Sequence, residues 1–345
     1  MMSFSFASVS FVSMSLASAG VAALALDALL GEPRRFHPIV GFGRLAGLLD
    51  AAFNRADDNT SGSVIAGTLA MLMLIIPLVA LAFVLSYFLS GIALWCLQVL
   101  VLWLALALRS LAEHGAAVAD ALSNAQSNEL SGEADLSLAR EKVGRIVSRD
   151  TASLNEEGIA KAATESMLEN GADAVFATLF WFVMAGLPGA VLHRAVNTLD
   201  AMWGYRTARY ERFGKAAARL DDALNWLPAR LTAWTFSLLG ALLPLSFFGA
   251  SSDGQACTRW QRFNGWRHQV RHWESPNAGP VMAAGASALA VELGGGAPYH
   301  GGWKERPILG VAGNKASART IYAAIKLVRA GVVVWLFTLL LLVLL

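Results

Sequence analysis

The sequence has few charged residues and few cysteines. Charged residues make up 15% of its 345 residues, against 56% hydrophobic ones, whereas soluble domains carry about a quarter charged residues. With a mean hydropathy of +0.51, the chain is predicted to be a membrane protein. Cys96 lies in an apolar run and Cys257 in a polar one, which argues against a structural disulfide and leaves no zinc framework. The net charge of +2 gives no support for a nucleic-acid partner.

Nucleotide-binding glycine motifs are also missing. Neither the Gly294–Gly302 segment nor the Gly310–Lys315 segment fits the spacing of a P-loop, and there is no dinucleotide fingerprint. If the protein uses ATP, it does so without a P-loop. His268 and His272 have the i,i+4 spacing of a metal-binding pair, but no third ligand is evident nearby, so zinc is not predicted there. Gly294–Gly302 is predicted to be a flexible loop.

A long stretch without any charge, Val64–Leu108, is about twice the length that one membrane span needs. It predicts a helical hairpin that turns near residues 86–91. The predicted fold is all-α: a polytopic integral membrane protein, one membrane-embedded domain over residues 1–345, with broken or re-entrant helices and helical cytoplasmic loops. The apolar segments are predicted at residues 16–30, 64–85, 91–108, 175–196, 233–249 and 330–345.

Lysine and arginine are absent before Arg34, between Arg55 and Arg109, and after Arg329. Since cytoplasmic loops carry the excess of these residues, both termini are predicted to be periplasmic in a multi-pass protein of the cell inner membrane. The polar segments predicted to be cytoplasmic are 31–63, 109–174, 197–232 and 250–329. Keeping them on one side requires the interrupted stretches 175–196 and 233–249 to be re-entrant or paired half-helices; the alternative is that each crosses once.

The most polar helix is predicted within Val147–Asn170. Ser153 and Glu156 have capping-box spacing, which places the helix start near Ser153. Charged residues then follow at i,i+4 spacing: Glu157, Lys161, Glu165, Glu169 and Asp173. The last three form a like-charge run, which destabilises a helix by a few tenths of a kcal/mol per pair and which a cation would relieve. The alternative is a solvated helix face.

A second polar cluster is predicted around Asp221. On a helix, Asp221 and Asn225 are i,i+4 neighbours, and Arg219 and Asp222 are i,i+3 neighbours. Paired aspartates with an asparagine suit Mg²⁺, although an N-cap with a salt bridge is an alternative. Asp27, at the end of an apolar segment, is a further functional candidate because acids within membrane spans are costly.

Several motifs occur in a recognisable order: GRIVSRDT, ESMLEN, NTLDAMWGY, ARLDDALNWLPARL, SPNAG and a Gly-rich YHG segment. Together they resemble the CobD/CbiB family of cobalamin biosynthesis, adenosylcobinamide-phosphate synthase, over nearly the whole chain. The chain has Glu32 where the family pattern has aspartate in LGDP, and Ala201 where NTLD is usually followed by serine. The spacing from His272 to SPNAG is also longer than usual. These departures weaken Glu32 and His272 as functional groups.

The resemblance implies amide formation between the f propionate of adenosylcobyric acid and the amine of aminopropanol or its O-phosphate, at the cytoplasmic membrane face. Activating a carboxylate by phosphorylation requires ATP, Mg²⁺, cations that stabilise phosphate, and a base for the ammonium. The expected partners are these substrates, membrane lipid, and either a second copy of the chain or other membrane enzymes of the corrin pathway.

Roles follow from the resemblance together with the residue chemistry. The predicted catalytic residues are Glu165, Glu169, Asp150 and Asp222. The predicted Mg²⁺ ligands are Glu165, Glu169, Asp221 and Asp222. The predicted substrate-binding residues are Arg149, Lys161, Arg219 and Arg230 for phosphate, and Asn170, Asn197, Asn225, Ser275 and Asn277 for the corrin and its amides. The glutamate pair is expected to face the aspartate pair across a cleft.

Two other functions are compatible with broken membrane helices: a transporter, or a non-catalytic scaffold for corrin-handling enzymes. Most polar motifs lie in long basic loops and not within apolar segments, which favours an enzyme that works at the membrane surface.

Overall fold

A computed structural model describes residues 6–33, 35–54, 61–127, 135–249, 257–270, 273–299 and 302–344. Arg34, Arg55, His272, His300 and Gly301, which entered the sequence predictions, lie outside these ranges.

The described chain is predominantly helical, with four three-residue strands, which confirms the all-α class. The helices are α1 (Phe6–Leu30), α2 (Pro38–Phe53), α3 (Ser61–Phe88), α4 (Gly91–Ala105), α5 (Leu108–Ser127), α6 (Ser137–Gly144), α7 (Glu156–Asn170), α8 (Thr178–Trp203), α9 (Lys215–Leu242), α10 (Leu245–Phe248), α11 (Arg259–Asn264), α12 (Trp266–Gln269), α13 (Ala278–Ala288) and α14 (Ala318–Leu344). A π-helical segment, Gly171–Ala177, joins α7 to α8. The strands are β1 (Glu292–Gly294), β2 (Ala297–Tyr299), β3 (Gly302–Lys304) and β4 (Ile308–Gly310).

Four helical stretches are long and apolar enough to cross a membrane: Ser63–Phe88, Gly91–Gln126, Glu156–Trp203 and Ala318–Leu341. They support the polytopic class. The predicted hairpin turn is confirmed, because α3 ends at Phe88 and α4 begins at Gly91. Both helices pack against α8, and α4 also packs against α1. The membrane sidedness of the loops stays a prediction.

The first interrupted stretch contains a backbone break. Within α8, Ala185 (φ −138°, ψ 15°) and Gly186 (φ 61°, ψ −146°) are not helical, and only glycine adopts the latter conformation readily. The second stretch differs: α9 continues as far as Leu242, and Pro244 then precedes the short helix α10. The prediction of an interruption is therefore met by a kink in one case and by a helix end in the other.

The chain divides into two compact units. The first comprises residues 1–109, 173–228 and 335–345, and the second residues 110–172 and 229–334. In the first unit, Met71 and Leu74 of α3 pack with Leu199 and Trp203 of α8 and with Phe213. In the second unit, the fully buried helix α13 packs against α7, α11, α12 and β4. Its small residues permit close packing; an added Cβ at Gly285 would lie 2.6 Å from Leu168.

Helix α7 begins at Glu156, so the predicted start and capping box at Ser153 are wrong. Asn155 is the N-cap, and its side chain accepts a hydrogen bond from the Gly158 N–H at 2.8 Å. Asparagine caps as well as serine does, and a turn from Thr151 to Leu154 precedes it. The solvated-face alternative is also wrong for most of the helix, because residues 159–168 are buried apart from Lys161.

The Gly-rich segment is more ordered than expected. β1 pairs antiparallel with β4, and β2 with β3, so the prediction of a flexible loop is wrong for the strand residues. Gly294 (φ 70°) and Gly295 (φ 75°) make the bend between β1 and β2. A Cβ at Gly294 would lie 2.2 Å from the Pro307 carbonyl oxygen, so this bend depends on glycine.

Asp27 has a structural contact that the sequence did not reveal. Its Oδ2 accepts a hydrogen bond from the backbone N–H of Arg109, at the start of α5, at 2.8 Å. In return, the Arg109 guanidinium donates to the carbonyls of Ala28 and Leu29, in the last turn of α1. Each side chain therefore satisfies backbone groups at the end of the other's helix, which explains an acid at this position without catalysis.

Candidate functional site

Glu165 on α7 is 2% exposed and is surrounded by hydrogen-bond donors. Its Oε2 accepts from Arg149 and, at 3.2 Å, from Arg306. Its Oε1 accepts from the Gly294 N–H at 2.8 Å and from Arg306 at 3.4 Å. Two guanidinium groups and a backbone amide thus compensate its charge. A metal ion or an incoming proton would have to compete with these donors, and the catalytic and metal roles of Glu165 stay predictions.

Arg306, in the segment between β3 and β4, was not among the predicted site residues. Besides Glu165, it donates from Nε to the Gly295 carbonyl at 3.1 Å, and its guanidinium carbon lies 5.3 Å from the centre of the Trp273 ring. These contacts fix the plane of the guanidinium group. The only signal in the sequence was a cation beside a Gly-rich segment, which is too weak to single it out.

Glu169 lies one turn after Glu165 and is partly buried. Its electrostatic neighbours are Glu165, Arg149 and Arg306. The predicted like-charge pair is therefore present, but the cations that offset it belong to the chain itself. Arg149 and Arg306 offset the pair only in part, and the catalytic and metal roles of Glu169 stay predictions.

Lys161 lies in a carboxylate network. Its ammonium group is 3.0 Å from Glu157 and 2.7 Å from Glu292. Burial alone would raise the pKa of Glu292, but hydrogen bonds from Lys161 and from the Gly313 N–H lower that pKa overall. The predicted phosphate contact of Lys161 stays a prediction, and a phosphate would have to compete with two carboxylates.

The SPNAG turn forms the start of α13. The Ser275 hydroxyl accepts from the backbone N–H groups of Asn277 and Ala278, at 3.4 and 3.1 Å. Arg230 donates to the Asn277 side chain and to the Pro276 carbonyl, both at 3.1 Å. The structure thus brings together Arg230, Ser275 and Asn277, three of the predicted substrate-binding residues.

The other predicted residues of this unit have local contacts. Asp150 accepts from the backbone N–H of Ala152 at 2.9 Å, in the turns that precede α7. The exposed Asn170 donates to the Ser166 hydroxyl at 2.9 Å. Arg219, which lies on α9 in the other unit, is exposed. Their predicted roles stay predictions.

In the first unit, Asp221 ends a buried chain of hydrogen bonds. Asn225 Nδ2 donates to Asp221 Oδ2 at 2.9 Å, so the Asn225 Oδ1 is the acceptor for His193 Nε2 at 3.0 Å. His193 therefore carries its proton on Nε2, and its Nδ1 accepts from the Thr178 hydroxyl at 3.1 Å. Asp221 is 8% exposed, and the other three are more deeply buried.

The environment of Asp221 favours its neutral form. Burial first, and then the negative charge of Asp200, raise its pKa to about 7; the hydrogen bonds from Asn225 and Asn197 act in the opposite direction. Asn197 Nδ2 lies 3.4 Å from Asp221 Oδ1. Burial also raises the pKa of Asp222, and the charge of Arg206 opposes this. Asp221 is thus poised to exchange a proton near neutral pH.

His193 and Arg194 adjoin the Asp221 cluster and were not among the predicted site residues. Arg194 lies on α8 beside Asn197, whose Oδ1 it contacts at 3.5 Å, and Glu32 is an electrostatic neighbour. The available signal was the His-Arg pair inside the otherwise apolar stretch 175–196, since ionisable residues in such stretches are commonly functional.

Among the residues that the structure describes, no group of three or more His, Cys, Asp or Glu side chains is arranged so that it could hold a metal ion. Glu165 and Glu169 belong to the second unit, and Asp221 and Asp222 to the first. The cleft predicted between these pairs stays a prediction.

Comparison with known proteins identifies the family. A family model described as CobD/Cbib protein matches residues 20–328. The chain belongs to the CobD/CbiB family.

The relatives of this CobD/CbiB chain are similar over most of their length. A protein named cobalamin biosynthesis protein CobD from Stutzerimonas stutzeri is 53% identical over 320 residues, covering 93% of this chain and 95% of the relative. A protein of the same name from Chromobacterium violaceum is 49% identical, with 91% and 92% covered. Another from Mycobacterium tuberculosis strain H37Rv is 36% identical, with 90% and 91% covered. No solved structure matches the chain.

Both polar clusters lie within the part of the chain that matches the CobD/CbiB family, and their chemistry differs. The Glu165 cluster holds two guanidinium groups rigidly on one carboxylate. The Asp221 cluster combines a carboxylate that titrates near neutral pH with further carboxylates, amides and Arg194. The first can position a substrate, whereas the second can also move a proton.

Proposed function

We propose that this CobD/CbiB chain acts in cobalamin biosynthesis. There it joins the f propionate of adenosylcobyric acid to the amine of aminopropanol or of its O-phosphate. The names of the relatives at 53% and 49% identity support the pathway. The finer assignment, amide formation, is what the resemblance to the family implies, and the chemistry of the Asp221 cluster is compatible with it.

The main support for a base at this site is the pKa of Asp221, which burial and the charge of Asp200 raise to about 7. An amine attacks a carbonyl carbon only after its ammonium form has lost a proton, and a base with a pKa near the working pH removes that proton best. We assign this role to Asp221. The ammonium proton passes to the Asp221 carboxylate, and the free amine nitrogen then bonds to the carbonyl carbon of the phosphorylated propionate. The C–O bond to phosphate breaks, and the second proton lost by the nitrogen leaves with the phosphate.

ATP would supply the phosphoryl group that turns a carboxylate oxygen into a leaving group. Mg²⁺ commonly uses one or two carboxylates with substrate phosphates, so it does not need a three-residue cluster. Most ligands of the ion would be phosphate oxygens of the substrates. The negative charges of Asp200 and Asp222 both act on Asp221, so an ion held by either of them would lower the pKa of the base, and the carboxylate that joins the ion stays a prediction.

Arg194 is the cation best placed to bind an anionic group of a substrate in this unit. It belongs to an otherwise apolar stretch of α8, beside the Asn197 amide. A guanidinium binds phosphate or carboxylate with two parallel hydrogen bonds. In the second unit, Glu165 acts as a positioning residue, which keeps Arg149 and Arg306 in fixed orientations.

The experiment uses purified protein in lipid nanodiscs with adenosylcobyric acid, ATP and Mg²⁺, and either aminopropanol or its O-phosphate. Wild-type protein is expected to form the amide, and Asp221→Asn to reduce the rate by about 10²-fold or more. The matched control is Glu141→Gln, which changes an exposed glutamate paired with Arg145. Product formation without ATP and Mg²⁺ would refute the activation step, and full activity of Asp221→Asn would refute the assigned base.

A transporter is the second candidate, and the break at Ala185–Gly186 in α8 favours it, because broken helices line the substrate sites of transporters. Proteoliposomes separate the two. Movement of corrinoid across the bilayer without a new amide bond would support transport, whereas amide formation without net movement supports the enzyme.

A further inference from the structure

The second half of α9 carries an exposed apolar stripe. Leu231, Trp234, Leu238 and Leu242 are 39% to 63% exposed, and their spacing places them on one face of the helix. The opposite face is packed: Phe236 is fully buried, and an added Cβ at Gly240 would lie 2.7 Å from Ala288. The stripe therefore takes no part in the core of this unit and faces outward.

Aromatic rings and an arginine adjoin this stripe. The Trp234 ring lies 5.8 Å from Phe263 and 6.2 Å from Trp266, and Phe263 lies 5.8 Å from the exposed ring of Trp260. The guanidinium carbon of Arg267 is 4.4 Å from the centre of the Trp234 ring, which is cation–π distance. Tryptophan with arginine at the edge of an apolar face is typical of the level of lipid headgroups.

Charged groups contact this half of α9 at two well-separated points. Arg267 lies over Trp234, and the buried Arg262 donates to the carbonyl of Leu243, just beyond the helix end, at 3.1 Å. Trp234 and Leu243 are nine residues apart, which corresponds to about 13 Å along the axis of a helix. A helix that crossed the hydrocarbon core, about 30 Å thick, would carry these arginines to different depths at a high cost. A helix parallel to the membrane surface keeps both near the headgroups.

The charge of this surface is of one sign. Residues 229–249 and 257–270 contain four arginines, Arg230, Arg259, Arg262 and Arg267, and no aspartate or glutamate. Arg259 and Arg267 are exposed, and Arg267 lies over Trp234 of the stripe. A positive rim around an apolar face is complementary to anionic phospholipid.

We propose that the second half of α9 lies flat in the membrane interface. Its apolar stripe is inserted at the boundary of the acyl chains, and Arg259 and Arg267 contact anionic phospholipid headgroups. This arrangement differs from both sequence-based alternatives for residues 233–249, crossing and re-entry. It does not depend on the reaction proposed above.

The test measures the depth of spin labels by electron paramagnetic resonance, from their accessibility to oxygen and to a water-soluble nickel chelate. In a Cys96→Ala, Cys257→Ala background, single cysteines replace Leu231, Leu238 and Leu242 in liposomes that contain phosphatidylglycerol. All three labels are expected at one depth within about 5 Å, close to the headgroup boundary. A crossing or re-entrant helix would instead change depth by about 16 Å from 231 to 242, and that result would overturn the proposal.

The matched control lies on α3. Ile65, Leu69, Met73 and Ile76 cover the same eleven-residue length, are 53% to 61% exposed, and belong to a helix apolar enough to span. Labels at these positions are expected to show graded depths.

A second arm tests the lipid headgroup. The double variant Arg259→Gln, Arg267→Gln is expected to reduce the depth of the α9 labels in phosphatidylglycerol vesicles. In phosphatidylcholine vesicles the depth of these labels is expected to stay the same. Equal depths in both lipids for both proteins would refute the role of anionic headgroups. Labels shielded from both oxygen and nickel would show that protein covers the stripe, either a second copy or a partner, and would also overturn the proposal.

Discussion

The proposed base makes a quantitative prediction for the pH dependence of amide formation. With a pKa of about 7, Asp221 is ionised to about one tenth at pH 6 and to about nine tenths at pH 8. If it accepts the amine proton, kcat/KM rises about tenfold over this range. In Asp221→Asn the remaining activity should lose this acidic limb. The assay is the pH profile of product formation at low substrate concentration.

Two further variants should move the acidic limb in opposite directions. Asn225→Ala removes a 2.9 Å hydrogen bond that stabilises the Asp221 carboxylate, so the limb is expected to shift to higher pH by up to about one unit. Asp200→Asn removes the negative charge that opposes ionisation, so the limb should shift to lower pH. Shifts of the same sign, or an unchanged limb in both variants, would refute the assignment of the limb to Asp221.

The same pKa affects stability. The folded-state pKa of Asp221, about 7, lies above the ordinary value of 3.8, so the folded protein binds the proton more tightly than the unfolded chain. The stabilisation from this group is complete below pH 4 and is lost as the pH rises to 7, by about 4 kcal/mol at most. Asp221→Asn should remove this contribution to the pH dependence. Thermal unfolding in detergent at pH 5 and pH 8 measures it.

Three other substitutions have defined outcomes. Glu165→Gln breaks a buried pairing with two arginines and should destabilise the protein by about 3 kcal/mol or more, seen as a lower Tm. Gly214→Ala would place a Cβ 1.7 Å from the Trp203 carbonyl oxygen and should reduce the yield of folded protein. Arg194→Gln should raise the KM of the anionic substrate about tenfold or more with a smaller effect on kcat.

The Glu165 and Gly214 variants each have a control, and the Arg194 variant has a defined refuting result. Glu141→Gln changes an exposed ion pair and should shift stability by less than about 1 kcal/mol. Gly47→Ala lies in α2 with no atom within 4 Å of the added Cβ, and it should stabilise the helix by up to about 1 kcal/mol. For Arg194, unchanged kinetics with aminopropanol phosphate in the glutamine variant would contradict its assignment to an anionic group.

Local patterns in the sequence predicted the α3–α4 hairpin well. An uncharged run of twice the length of a span has few alternatives to two helices, and the break at Ala185–Gly186 lies within the stretch 175–196 that was predicted to be interrupted. Short-range features were less certain. Ser153 and Asn155 can both cap a helix, and only the turn that precedes Asn155 selects between them.

Contacts between residues far apart in the sequence could not be predicted. Spacing along α7 relates Glu165 to Lys161 and Glu169, but its partners in the structure are Arg149, Arg306 and the Gly294 N–H. Two of these three come from a segment more than a hundred residues away that forms short strands. Periodicity carries no information on such pairings, because they depend on the packing of elements and not on their internal spacing.

The comparison of Glu165 with Asp221 shows how environment separates two carboxylates that look alike in the sequence. Both lie on polar helices at i,i+4 from another polar residue, and both are buried. Glu165 has two guanidinium groups as partners. They compensate its charge and fix the position of its side chain. Asp221 has two amides as donors and a second aspartate as a neighbour, so it keeps its proton up to about neutral pH and can exchange it there. Pairs of acids whose surroundings differ in this way commonly divide positioning from proton transfer. On this argument, Glu165→Gln should lower stability and activity at all pH values alike, whereas only changes around Asp221 should alter the shape of the pH profile.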